Sequence, residues 1–160
     1  MSATFEDLRV LKTVEELADT IWKQVVQWDP FAKDVVGKQL TRAVDSIGAN
    51  ISESFGRYHF GEKIQFLYYA RGSIFETKFW LNRVKARDLM LPVQAQVYLD
   101  NITSLARQLN TFTGSLKVVR NQEAKQSKTV REMAAEYQIV LPESISDCLF
   151  TEEEINWLET

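Results

Sequence analysis

Histidine and cysteine, two of the side chains most used for catalysis and metal binding, are rare in this chain of 160 residues. It contains one histidine, His59, and one cysteine, Cys148. A structural zinc site takes about four Cys or His ligands, and a di-iron helical bundle takes a pair of Glu-x-x-His motifs. The sequence also lacks a glycine-rich phosphate loop and a G-x-S-x-G nucleophile motif. It therefore predicts a protein that is not an enzyme and that has no metal, cofactor or small-molecule substrate.

Three cations have a regular spacing that suits anion binding. Arg71, Lys78 and Lys85 recur at every seventh residue, on the border between two apolar faces of one predicted helix. Such a line is most often a solvated stripe whose alkyl stems cover apolar surface. Repeated around an oligomer, it would become a ring of positive charge able to hold phosphates. These three residues and Arg57 are the candidate nucleic-acid contacts.

A polar stripe on the preceding predicted helix has two interpretations. Its members are Arg42, Ser46, Asn50, Glu53 and Arg57. One interpretation is a solvated face with an i,i+4 Glu53–Arg57 pair that contributes about 0.3–0.5 kcal/mol. The other is a polar network between helices or subunits, formed by Asn50, Glu53, Arg71 and Glu76, which fixes their register.

The elements that position these residues are predicted to be four long helices. Apolar residues at steps of three and four predict helices over about Asp7–Trp28, Asp34 or Lys38 to Tyr58, Glu62–Asp88 and Pro92–Arg120. Four such helices with short connections pack most simply as an antiparallel up-down-up-down bundle. The predicted fold is therefore all-α, with a bundle domain over residues 5–120 and an extension over residues 121–160.

The third predicted helix is apolar on two faces. Leu67, Ala70, Ile74, Leu81 and Val84 share one face. The second face is formed by Ile64, Tyr68, Phe75 and Phe79. Because the core of one bundle can cover only one face, we expect the second to contact another subunit. Its four residues are the predicted oligomer interface.

Charge is divided unevenly along the chain. Residues 1–120 contain 16 Lys and Arg against 13 Asp and Glu, a net of +3, whereas residues 121–160 contain 3 against 9, a net of −6. The body is thus far less basic than a dedicated nucleic-acid binder. No run approaches the roughly 20 apolar residues that span a bilayer. A single cysteine cannot form an intramolecular disulfide, which favours a reducing compartment. The sequence therefore predicts a cytoplasmic protein that is not inserted in a membrane.

The extension is predicted to fold back onto the bundle of its own or a neighbouring subunit. It contains too many large apolar residues for a solvated segment: Tyr137, Ile139, Val140, Leu141, Leu149, Phe150, Ile155, Trp157 and Leu158. Short helices are predicted over about Thr129–Tyr137 and Thr151–Leu158, the second starting with a Thr151/Glu154 capping box. Two roles remain open, a packed extension without a regulatory role and an internal competitor for an anion.

Three segments resemble a known family. Phe5–Val10, Ser46–Arg57 and above all Phe66–Glu76 are similar to the four-helix bundle family of the 23S rRNA intervening-sequence proteins. Its relatives include the accessory variability determinant of diversity-generating retroelements. The resemblance covers about residues 5–120 and implies a homopentamer without catalytic activity. In the retroelement branch it further implies binding to a reverse transcriptase and to nucleic acid.

Three functions follow from these observations. The first is a non-catalytic oligomeric scaffold that presents interaction surfaces to protein partners. The alternative is an accessory protein that binds RNA or DNA and acts with a reverse transcriptase. An enzyme comes third, because it would need an interior carboxylate cluster, such as Glu53 with Glu76, together with a metal.

Overall fold

A computed structural model describes the backbone of residues 5–126 and 148–160 and the side chains of residues 9–121 and 148–160. All regular structure within these residues is helical. The helices are α1 (Phe5–Val25), α2 (Pro30–Ala32), α3 (Lys38–Gly56), α4 (Phe60–Ala86), α5 (Pro92–Gln126) and α6 (Glu152–Glu159), and a π-helical turn (Lys33–Gly37) joins α2 to α3. None of the helices in this part of the chain is long and apolar enough to cross a membrane.

The second long helical segment begins earlier than predicted, because Asp29 and Pro30 start it. The Asp29 carboxylate accepts hydrogen bonds from the backbone N–H groups of Phe31 and Ala32, at 3.0 and 3.1 Å. Pro30 occupies the first helical position, where its missing N–H costs nothing. The helix predicted to end at about Arg120 continues as α5 to Gln126.

Each of the four long helices packs against two others. Helix α3 lies against α1 and α4, and α5 lies against α4 and α1. Their apolar stripes therefore share one core. Fully buried members of this core include Ile21, Leu40, Val44, Ile47, Ile51, Leu67, Ile74, Leu81, Leu99 and Leu105.

Close approach of α1 to the π-helical turn requires a glycine. A Cβ atom placed on Gly37 would lie 2.6 Å from Cγ1 of Val25, which is too close for any side chain. The absence of a side chain at Gly37 therefore lets Val25 pack directly on the backbone of the turn.

Two buried polar side chains fix the connection between α3 and α4. The Ser54 hydroxyl donates a hydrogen bond to the backbone oxygen of Lys63 at 3.0 Å. In return, Nζ of Lys63 donates to the backbone oxygens of Ser54 and Phe55, at 3.3 and 3.2 Å. A cation at this end of α3 is favourable because the last carbonyls of a helix lack partners and carry partial negative charge.

Helix α6 lies along α4 and α5, and the order of the contacts along each helix makes it parallel to α4 and antiparallel to α5. Leu149 and Phe150, just before α6, and Ile155 and Leu158 within it are buried in the core. The predicted capping box is confirmed, since Oγ1 of Thr151 accepts from the N–H of Glu154 at 3.2 Å and the Glu154 carboxylate accepts from the N–H of Thr151 at 3.0 Å. The predicted folding back is thus confirmed for residues 149–158. The predicted helix over Thr129–Tyr137 and the apolar residues Ile139, Val140 and Leu141 lie outside the described residues.

Candidate interaction surface

The first predicted face of α4 is fully buried in the chain's own core. Leu67, Ala70, Ile74, Leu81 and Val84 have no exposed surface. Ile64, a predicted member of the oligomer interface, is also fully buried. It lies close to the edge of the core-facing stripe, and the core extends far enough around α4 to include it. Ile64 therefore offers no surface to a neighbouring subunit.

Phe75, a second predicted interface residue, is covered mainly by the extension. Its ring stacks on Phe150 and on Trp157, with centroids 5.8 and 5.5 Å apart. Phe75 is half-buried as a result. Part of the second apolar face of α4 is thus satisfied within one chain.

Tyr68 and Phe79 lie on the remaining exposed surface of α4, together with Tyr69. The exposed fractions of these side chains are 38% for Tyr68, 50% for Tyr69 and 52% for Phe79. A Cβ atom on Gly72, between them along the helix, would meet nothing within 4 Å. We call Tyr68, Tyr69, Gly72 and Phe79 the aromatic face of α4. The sequence pattern does not predict Tyr69 as an interface residue, because its helical position lies outside both apolar faces of α4.

Two of the candidate nucleic-acid contacts, Arg71 and Lys78, are engaged by the extension. Nε of Arg71 donates to the backbone oxygen of Leu149 at 2.9 Å, and its guanidinium pairs with Glu154. Nζ of Lys78 donates to the backbone oxygens of Trp157 and Leu158, the latter at 3.2 Å. Burial, and to a lesser extent the nearby charge of Lys85, lowers the pKa of Lys78.

The remaining predicted site residues lie apart from this cluster. Arg57 forms an ion pair with Glu53, one helical turn earlier in the sequence. The Arg57 guanidinium lies 4.7 Å from the ring centroid of Phe66. The Asn50 amide donates to the backbone oxygen of Ser46 at 2.8 Å. Lys85 is exposed.

Among the described residues, no hydrogen bond or ion pair joins Asn50, Glu53, Arg71 and Glu76 to one another. Asn50 forms a hydrogen bond within α3, and Glu53 pairs with Arg57, the residue that follows α3. Arg71 bonds to the extension, and Glu76 is exposed. A network between subunits stays a prediction. Nor do His, Cys, Asp and Glu side chains in residues 9–121 and 148–160 form a group of three that could hold a metal ion. Stacking, apolar contact and ion pairing are the chemistry that this surface offers.

Comparison with protein families bears directly on this surface. A family model described as 23S rRNA-intervening sequence protein matches residues 6–111. This span includes all of α4 and about two thirds of the chain. The chain belongs to the 23S rRNA-intervening sequence protein family. The resemblance to the 23S rRNA intervening-sequence proteins is thereby confirmed. A search of curated proteins found no match.

Helix α6 lies outside the matched span but covers residues inside it. On the α5 side, the Asn110 amide and the backbone of Phe150 exchange two hydrogen bonds, at 2.7 and 2.8 Å. Arg107 lies 3.5 Å from carboxylate oxygens of Glu152 and Glu159. These exposed ion pairs contribute about 0–1 kcal/mol each. Aromatic stacking and burial of apolar side chains therefore stabilise the position of α6 more than the ion pairs.

Proposed function

We propose that this family member is a non-catalytic homo-oligomeric scaffold of the cytoplasm that presents surfaces to protein partners. Each copy is an antiparallel four-helix bundle, and the copies join through the aromatic face of α4. The bundle is supported by the way each long helix packs on two others around one core. A pentamer is the assembly that the family resemblance implies.

The observation that carries this proposal is the exposure of three aromatic side chains on one helix. Tyr68, Tyr69 and Phe79 remain on the surface although the chain's own extension covers the adjacent Phe75. Neighbouring exposed apolar residues commonly mark a protein–protein contact, and aromatic residues are enriched in such contacts.

The size of the aromatic face also indicates that it does not act alone. Full burial of one large apolar side chain contributes about 1.5–3 kcal/mol, and these three are already half-buried. Association costs about 4–15 kcal/mol in lost freedom of motion. The surface that receives the aromatic face must therefore add contacts of its own.

Phe79→Asp tests the proposal, with Phe31→Asp as its control. Both substitutions place a carboxylate at an exposed Phe, and Phe31 lies at the start of α2, with 76% of its surface exposed. We expect Phe79→Asp to sediment as a monomer of 18.5 kDa at micromolar concentration, and Phe31→Asp to keep the wild-type oligomeric mass. An oligomer that survives Phe79→Asp unchanged excludes the aromatic face as its interface.

A second candidate function, a nucleic-acid-binding accessory protein, is favoured by the family match. Lys85 is exposed, whereas Arg71 and Lys78 are held by the extension. Nucleic acid could reach those two cations only after α6 leaves. The kinship with the accessory determinant of diversity-generating retroelements, and with it a reverse transcriptase as partner, belongs to this candidate.

A further inference from the structure

An open groove of about 250 Å³ lies between α1 and α3, on a different side of the chain from the aromatic face. Its floor is apolar, with Val14 and Val44 among the lining residues. Ala18, Gly48 and Ala49 also line it, and their small side chains leave its mouth wide. The volume is below the roughly 300–1,000 Å³ of most small-molecule sites, so it suits an inserted side chain better than a free ligand.

The rim of this groove is acidic and unneutralised. Glu15 and Asp45 line it, and Asp19 lies near enough to Asp45 for its charge to act on that carboxyl. Among the described residues, no side-chain hydrogen bond or ion pair involves any of the three. Partial burial, and after it the charge of Asp19, raises the pKa of Asp45. A cation brought to this rim would offset the repulsion between Asp45 and Asp19 and stabilise the ionised carboxyl.

Three cations lie beside the aromatic face or follow it along α4. The Arg83 guanidinium lies 5.7 Å from the ring centroid of Phe79. Lys85 and Arg87 follow at the same end of α4, and all three are exposed. None of the ion pairs in the described part of the chain includes them. This end of α4 therefore presents the exposed ring of Phe79 next to positive charges that no ion pair among the described residues neutralises.

The two surfaces cannot meet within one chain. Helix α4 packs on α3 and α5, whereas the groove opens between α1 and α3. A contact between the aromatic face and the groove is therefore a contact between copies.

We propose that the α1–α3 groove receives the aromatic face of α4 from a second copy of this chain, with Phe79 among the small residues and Arg83 at the acidic rim. This inference rests on the proposed function, because it names the partner surface of the same interface. It also supplies the added contacts that the aromatic face lacks. The interface joins two different surfaces, and such an interface closes into a ring when its rotation fits. A ring with an odd number of copies, a pentamer included, needs contacts of this kind.

Ala49→Arg tests the acceptor side, with Asn101→Arg on α5 as its control. Both positions are exposed on long helices, and Arg is a good helix former, so each variant should fold. The Arg at position 49 fills the groove and pairs with its rim. We expect Ala49→Arg to have the monomer mass and Asn101→Arg the wild-type mass. If Ala49→Arg keeps the wild-type mass while Phe79→Asp is monomeric, the proposed function stands and the groove is not the acceptor.

An equimolar mixture of Ala49→Arg and Phe79→Asp gives the sharper result. Ala49→Arg retains an intact aromatic face, and Phe79→Asp retains an intact groove. The two variants can therefore form one interface with each other, and no third copy can be added. We expect native mass spectrometry to detect a 1:1 heterodimer of twice 18.5 kDa that neither variant forms alone. A mixture that stays monomeric overturns the proposal. If Phe79→Asp alone keeps the wild-type mass, the proposed function itself fails.

Discussion

Asp45 and Lys78 show two ways in which burial acts on a charged side chain. Partial burial raises the pKa of Asp45, and burial lowers that of Lys78. In each case a nearby like charge, Asp19 or Lys85, acts in the same direction. For Lys78, hydrogen bonds to the carbonyls at the end of α6 compensate for the water it gives up. Asp45 has no such partner among the described residues. Its charge is therefore unfavourable in a single copy.

Asp45→Asn should stabilise the monomer at neutral pH. A carboxyl group whose pKa is raised above its ordinary value of 3.8 on folding contributes most to stability below 3.8, and loses that contribution as the pH rises through the raised value. In a Phe79→Asp background we expect the Asp45→Asn variant to have the higher urea midpoint at pH 7. The difference should shrink as the pH falls toward 3.8, because both side chains are then neutral.

In the assembled protein we expect Asp45→Asn to have the opposite effect. If the groove receives Arg83, the ionised Asp45 gains a partner, and Asp45→Asn in the wild-type background should weaken association. A midpoint at pH 7 that is unchanged or lowered in the monomeric background would show that the environment of Asp45 is not the one described.

At the scale of elements, α6 depends on the surface that it covers. Its eight residues are too few to be a stable helix in isolation, where about 12–15 residues are marginal. Phe150 and Trp157 stack on Phe75, and Leu158 is fully buried. Removing residues 149–158 would expose Phe75 and release Arg71 and Lys78 together.

Truncation after Asp147 separates the two roles left open for the extension. Loss of buried apolar surface should lower the free energy of unfolding under either role. If α6 also competes with a polyanion, the truncated chain should bind duplex DNA or RNA more tightly than the full chain at low salt. Fluorescence anisotropy with a labelled oligonucleotide measures this change.

A truncated chain that also carries Arg71→Gln and Lys78→Gln is the matched control. Each phosphate interaction that these substitutions remove should reduce the slope of log affinity against log salt by about 0.9 for duplex DNA. Tighter binding that persists in the control would place the nucleic-acid site elsewhere. Reduced stability with no gain in binding would leave α6 as a packed extension only.

The sequence predicts the helical stripes better than it predicts what covers them. Spacing alone assigns Leu67, Ile74 and Leu81 to the core, because helical periodicity fixes which residues share a face. The same spacing cannot decide what lies on Phe75 and Arg71. That choice depends on interactions between residues as far apart as Arg71 and Leu149, 78 positions along the chain. The early start of the α2–α3 segment escapes prediction because a π-helical turn departs from the 3.6-residue period.

At the scale of the whole molecule, the described surfaces divide into three regions. Helix α6 covers the side formed by α4 and α5, the aromatic face of α4 remains exposed, and the acidic groove opens between α1 and α3. The central claim of the proposed function is that copies of this chain assemble through α4.

Sedimentation equilibrium of the full chain tests that claim most directly. At micromolar concentration we expect one species with five times the monomer mass of 18.5 kDa. Another multiple of that mass would keep the assembly and change its number of copies. A mass of 18.5 kDa across the micromolar range would contradict the claim, because the aromatic face of α4 would then be exposed to water in the working protein.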